Sequence, residues 1–205
     1  MDGNKSKTVA LIQARMSSTR LPGKVLKKIL DKPLLWYMVK RVQKSKLIDE
    51  VVVITSTHNS DDLIYDYCIK NSISIFRGDL KNLLKRHLSA AEYFNADVCL
   101  KLPSDCPLID SFIIDKVIQS FFNSNVEYCS NLHPMTLPDG MDVEVFTFEA
   151  LKRASKLANT SDEFEHTTTR MWATEDFKKL NVSFKGFEKY IDKFRFTVDY
   201  ENDFL

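Results

Sequence analysis

The sequence predicts a three-layer α/β fold around a mostly parallel, mixed central sheet. Short apolar runs alternate with amphipathic stretches through the first half of the chain. The runs are rich in Val and Ile, the composition of strands buried on both faces. Strand–helix–strand succession needs crossover connections, and crossovers make neighbouring strands parallel. A chain of 205 residues suffices for one α/β domain with a sizeable core. No linker, repeat or low-complexity stretch divides it, so residues 1–205 read as a single domain.

The elements follow in order. "TVALIQA" (8–14), "EVVVITS" (50–56), "SISIF" (72–76) and "DVCLKL" (97–102) are expected strands. Residues 33–46 read as a helix, with Pro33 near the first turn and Leu34, Leu35, Met38, Val39 and Val42 at helical spacing. Ser60, Asp61 and Asp62 open a second helix over 60–70 with capping and first-turn residues. A third, 79–94, carries Leu80, Leu83, Leu84, Leu88 and Ala91 along one face. The later part is less regular, with strands expected near 126–131, 142–148 and 194–199 and helices near 147–158 and 161–175. The closing "VDYENDFL" reads as the first turn of a helix, so a truncated C-terminal helix is expected.

Composition excludes several classes. Lysine and arginine number 29 against 28 acids, a net charge of +1, without the basic excess of a nucleic-acid or membrane-surface binder. Cys68, Cys99, Cys106 and Cys129 are widely spaced, with no Cys-x-x-Cys pair, and read as reduced thiols of a cytoplasmic protein. The N-terminal MDGNKSK is polar, no run approaches a membrane span, and the sequons at Asn159 and Asn181 carry no meaning in that compartment.

Against this neutral background "RMSSTRLPGK" places Arg15, Arg20 and Lys24 within ten residues, directly after the first strand. Guanidinium groups form paired, charge-assisted bonds to phosphate oxygens, each worth roughly 1.5–3 kcal/mol. Ser18, Thr19 and Gly23 are small enough for backbone N–H groups to approach the same oxygens. It is not a Walker loop: Ser18 stands where that motif needs Gly, and Val25 where it needs Ser or Thr. The plain alternative is a solvated basic loop.

"QARMSSTRLPGKVL" resembles the opening motif of the sugar nucleotidyltransferases that make CMP-activated acidic sugars, closest to the CMP-Kdo synthetase opening and the spore-coat polysaccharide cytidylyltransferase branch. "DCPLID" (105–110), "PDGMDVEVF" (138–146), "EHTT" (165–168) and "FTVDYENDF" (196–204) are similar to later blocks of that group, in family order. The chain departs from the pattern at Pro103-Ser104, where relatives often carry a glycine just before the metal-binding aspartate.

The resemblance implies a Rossmann-like nucleotidyltransferase fold and a transfer of CMP from CTP to a sugar, acidic in such kin, for surface polysaccharide synthesis. It implies a magnesium ion on Asp105 and Asp199, and a triphosphate held by Arg15, Ser18, Thr19, Arg20 and Lys24, with Arg15, Lys24 and Asp105 as catalytic groups. It also implies a cytoplasmic homodimer. Asp142 and Glu144 alternate on a predicted strand and so share a face, suited to acceptor hydroxyls or to the metal. Asp142 reads equally well as a turn residue after Pro-Asp-Gly. Lys101 is a candidate counter-charge for an acidic acceptor. Glu165 and His166 could touch substrate or a second subunit, and Arg77 of "RGD" could lie near the nucleotide. Cys106 has no nearby histidine and is an improbable nucleophile. The rival readings are a metal-dependent glycosyltransferase, whose usual Asp-x-Asp is absent from this chain, and a non-catalytic nucleotide-binding relative.

Overall fold

The computed structural model describes residues 5–204. Its first half runs β1 (Thr8–Gln13), β2 (Lys28–Ile29), β3 (Lys32–Pro33), α1 (Leu34–Val42), β4 (Glu50–Ser56), α2 (Asp62–Lys70), β5 (Ser74–Gly78), α3 (Leu83–Tyr93) and β6 (Val98–Pro103). Then come α4 (Ser111–Phe122), β7 (Tyr128–Ser130), β8 (Glu144–Thr147), α5 (Phe148–Leu157), α6 (Ser161–Glu165), α7 (Thr169–Ala173) and β9 (Lys179–Asn181). Strands β2 and β3 form a separate small hairpin.

The main sheet has the order β5-β4-β1-β6-β8-β7-β9. The first four strands are parallel; β8 runs antiparallel to both β6 and β7, and β9 parallel to β7. Alternation along β1 divides the core. Ala10 and Ile12 pack with Leu35, Met38 and Val39 of α1 and Ile114, Val117 and Ile118 of α4. Val9 and Leu11 face the other way, onto Leu84, Ala90 and Ala91 of α3 and Ala150, Leu151 and Ala154 of α5. Each such large side chain fully buried contributes about 1.5–3 kcal/mol, so the sheet is held from both sides as the sequence predicts.

Four local expectations are corrected. Helix α4 was not anticipated, although Asp110 accepts from Phe112 N at 2.7 Å as its cap and Ile114, Val117, Ile118 and Phe121 are buried at helical spacing. The strand expected at 72–76 lies two residues later, because Ser72 (φ 53°) and the Ile73 N–H to Cys68 carbonyl bond (2.9 Å) close α2 first. The helix expected over 161–175 breaks at His166, where Thr167 and Thr168 turn inward. Residues 194–199 join no sheet: Arg195 makes a lone bridge with Asp139, while β9 takes the sheet edge. The terminal residues Glu201–Phe204 form a single 3-10 turn.

All four cysteines are buried and free, and burial pushes the thiols of Cys68, Cys99 and Cys129 up to about 12. Among the described residues no helix is long and apolar enough to cross a membrane. Strand order reverses between β1 and β6: β4 lies on one side of β1, and the chain returns over α3 to place β6 on the other. The loops leaving those two strands therefore flank a crevice where α/β sheets bind ligands.

Candidate active site

The loop after β1 is held at both ends. The Ala14 N–H donates to the Ile54 carbonyl at 3.0 Å, and the Met16 N–H donates to Asp61 Oδ1 at 2.8 Å. Asp61 is fully buried, and its Oδ2 accepts from Ser56 N (3.2 Å) and Ser56 Oγ (2.5 Å), so its carboxylate clamps this loop to the end of β4. Gly23 closes the far end: its N–H donates to the Met16 carbonyl at 2.9 Å from a left-handed conformation (φ 72°) that side chains disfavour. Between these anchors Arg15, Ser18, Thr19, Arg20 and Lys24 line a cleft of about 550 Å³.

Lys24 is 7% exposed, and its Nζ donates to Asp105 Oδ2 at 2.7 Å, Asp199 Oδ1 at 2.9 Å and the Val198 carbonyl at 2.9 Å. Burying an ammonium costs several kcal/mol unless it is paired, and two carboxylates meet that need here. Arg20 donates to the same Asp199 Oδ1 at 2.6 Å and lies over the Tyr200 ring. Asp105 and Asp199, far apart in sequence, thus converge on one atom.

Neighbouring contacts fix the pair. The Val198 N–H donates to the Asp105 carbonyl at 2.8 Å, and Arg41 of α1 holds the loop after Asp105 through the Ile109 carbonyl at 2.8 Å. Asp203 accepts from the N–H groups of Asp199 (2.7 Å) and Tyr200 (2.9 Å), and those bonds, with Arg195, depress its pKa to about 2. The turn of Pro138-Asp139-Gly140, closed by Met141 N to the Pro138 carbonyl at 3.2 Å, receives Phe196 N on the Asp139 carbonyl at 2.7 Å. A Cβ on Gly140 would stand 2.7 Å from the Phe196 carbonyl carbon, so only glycine lets the segment carrying Asp199 approach this closely.

Asp105 lines the cleft and Asp199 lies behind Lys24, and two such carboxylates are a donor set that magnesium accepts when phosphate oxygens and waters complete its six ligands. No group of three or more His, Cys, Asp or Glu side chains converges among the described residues. The residues fit a magnesium ion that arrives with a phosphate substrate, and they form no closed protein cage.

Asp142 and Glu144 lie outside the lining of this cleft. Glu144 is the first residue of β8, buried between β6 and β7, and accepts from Lys101 Nζ (2.6 Å), Tyr128 OH (2.7 Å) and Thr168 Oγ1 (2.6 Å). Burial pushes its carboxyl up, but those three donors outweigh it and keep the pKa below the usual range. Lys101 is thereby committed to Glu144. Asp142 precedes β8, level with the carboxyl end of β6, and burial with Asp139 alongside raises its pKa to about 7. Arg77 is turned to Asp62 (2.7 Å) and the Ser56 carbonyl (2.9 Å), away from the cleft lining. Glu165 and His166 do line it. Burial and nearby Asp105 hold the Cys106 thiol well above its ordinary pKa, so it is no nucleophile. Sequence reasoning assigned no role to Asp61, Asp203, Lys81 and Arg86, the last two also in the cleft wall; the capping position of Asp61 and the place of Asp203 in "FTVDYENDF" carried a signal.

A sequence profile described as cytidylyltransferase matches residues 9–204. The chain is 30% identical over 200 residues to the spore coat polysaccharide biosynthesis protein SpsF of Bacillus subtilis, covering 95% of this chain and 82% of that one. A solved cytidylyltransferase from Leptospira borgpetersenii superposes with a TM-score of 0.91 at 36% identity, over 97% of this chain and 84% of the other. A CMP:2-keto-3-deoxy-manno-octonic acid synthetase solved in complex with CTP superposes with a TM-score of 0.71 at 16% identity, over 96% and 95% of the two chains. At that identity the likeness bears on the fold alone.

Proposed function

The chain belongs to the cytidylyltransferase family, and from that premise we propose that it transfers CMP from CTP to an acidic sugar for surface polysaccharide synthesis, releasing pyrophosphate. The observation that carries this reading is the meeting of Asp105 and Asp199 on Lys24 beside Arg15 and Arg20, at the point where strand order reverses. The name of SpsF, a spore coat polysaccharide protein, supports the pathway. The CTP bound to a protein of the same fold supports the nucleotide.

In the proposed reaction a sugar hydroxyl oxygen bonds to the α-phosphorus of CTP. The bond to the bridging oxygen breaks, and pyrophosphate leaves with that electron pair while the hydroxyl proton passes to solvent. Such a transfer asks for positioning and charge neutralisation more than covalent work. Arg15, Arg20 and Lys24 hold the triphosphate, with backbone and hydroxyl support from Ser18 and Thr19. Lys24 is held at the site by its three acceptors and reaches a phosphate oxygen by releasing one of them. Asp105 and Asp199 would hold magnesium, which when bound neutralises phosphate charge. We place Asp142 at the acceptor's hydroxyls, with Glu144 a positioning group acting through Lys101 and Thr168.

The test is to incubate the protein with magnesium, each nucleoside triphosphate in turn and a panel of acidic sugars, and to measure pyrophosphate. Release with CTP and one acidic sugar is the expected result. Release with another triphosphate overturns the choice of base, and CTP binding without release with any sugar favours a non-catalytic relative. We also propose a cytoplasmic homodimer, which a monodisperse monomer in light scattering at micromolar concentration overturns.

A further inference from the structure

Arg86 of α3 is 3% exposed, yet it lines the cleft. Its Nε donates to the Asp79 carbonyl at 2.8 Å and its Nη2 to the Leu80 carbonyl at 3.0 Å. The remaining Nη1 has no protein partner among the described residues and is not sealed from solvent. A buried guanidinium normally demands a carboxylate, and the two acids nearby are committed elsewhere. Asp61 spends its oxygens on Met16 N, Ser56 N and Ser56 Oγ. The Asp79 carboxylate accepts from the N–H groups of Lys81 and Asn82, both at 2.9 Å.

Arg15, in the loop after β1, likewise makes no ion pair among the described residues and lines the same cleft. Burial lowers the pKa of Arg86 from its ordinary value and Arg15 adds to that, while Asp61 and Asp79 oppose it. Two cations thus share one wall, and neither makes an ion pair among the described residues. A second observation shows that the position is built: a Cβ on Gly78 would lie 2.9 Å from Arg86 Cγ, so the glycine leaves room for that stem.

Of the other cations in the cleft, Lys81 is exposed to solvent, and two are already paired. Lys24 meets both Asp105 and Asp199, and Arg20 meets Asp199. We propose that Arg86 and Arg15 form an anion seat in the cleft wall that receives the outer phosphates of the nucleoside triphosphate and retains them as pyrophosphate departs. The seat rests on the nucleotidyl-transfer reading above and assigns the part of the substrate that carries most charge to two guanidinium groups that make no ion pair among the described residues.

Calorimetric titration of the full chain with inorganic pyrophosphate, CTP and CMP tests it. Arg86→Lys keeps the charge but loses the fork, and is expected to weaken pyrophosphate and CTP by about 10–100-fold and CMP by less than about twofold. Equal losses for all three ligands, the result of a merely structural role, overturn the seat, as does no loss for any. Gly78→Ala retains Arg86 and displaces its stem, and is expected to weaken pyrophosphate in the same way. If Arg86→Lys does not fold, unchanged pyrophosphate affinity in Gly78→Ala overturns the proposal by itself. Parent protein that binds pyrophosphate but not CTP sinks the cytidylyl reading and leaves the seat. Parent protein that binds CTP but not pyrophosphate removes the seat and leaves that reading.

Discussion

Lys24 joins three acceptors that come from two distant parts of the chain, and replacing it by Ala takes from Asp105 its ion-pair partner and leaves Asp199 to Arg20 and Arg195. Turnover is expected to fall by roughly 10²–10³, as for removal of one preorganised charge-stabilising donor, and steady-state kinetics with CTP would show it. Asp142 makes a different prediction. Its folded pKa is raised from 3.8 to about 7, so ionisation penalises the folded state. That penalty is absent below the unfolded value, grows as pH rises through the interval, and is complete above about 7. Asp142→Asn should therefore gain roughly 1–4 kcal/mol in urea unfolding near pH 8 and almost nothing below the unfolded value. The same variant should raise the acceptor's KM or lower turnover while leaving CTP affinity nearly intact; collapse of CTP affinity would move Asp142 to the metal. The cations of the loop were legible because they stand together in sequence. Glu144 was misread as facing the acceptor because Lys101, Tyr128 and Thr168, which surround it, belong to other elements.

At the scale of elements, two short segments decide whether Asp199 reaches the cleft. Gly140 has φ 97° and no room for a Cβ against Phe196 and Thr197. Gly140→Ala should lose about 1–3 kcal/mol of stability, read from urea unfolding, and lower turnover by moving the segment that bears Asp199. The turn of Glu201–Phe204 depends on Asp203, whose folded pKa of about 2 lies below its ordinary 3.8. A depressed acid contributes stability that is fully present above the unfolded value and is lost as pH falls through the folded one. Asp203→Asn should therefore destabilise the protein at neutral pH and converge on the parent only as pH falls below about 2, by circular dichroism. Strand 50–56 was legible to the residue, because a Val-Ile run buried on both faces has no other reading. Helix α4 carried the 3.6-residue period but was passed over behind the motif at 105–110, and residues 194–199 alternate like a strand yet are claimed by the Gly140 turn.

Across the whole molecule, the cleft is built from loops after β1, β5 and β6 and from the break between α6 and α7. A ligand that touches all of them opposes unfolding of every part. At a concentration about a hundredfold above Kd, CTP should stabilise by about 2.7 kcal/mol. That corresponds to a rise in Tm of roughly 5–10 °C for a domain of this size, measurable by calorimetric scanning. The sheet was legible because hydrophobic alternation encodes it locally; the wall around Arg86 was not, because it exists only when Gly78 and α3 are already packed. The bond from Lys24 to Asp199 spans 175 residues. On a ribosome adding about 5–20 residues each second, the ammonium waits roughly 10–35 s for its second carboxylate. Through that interval the nascent chain can pair β1 with β4, β4 with β5 and β1 with β6 while its basic loop stays hydrated and unclaimed. The fold is thus laid down early and the chemistry last, and a polypeptide released before residue 198 would hold a sheet without a site.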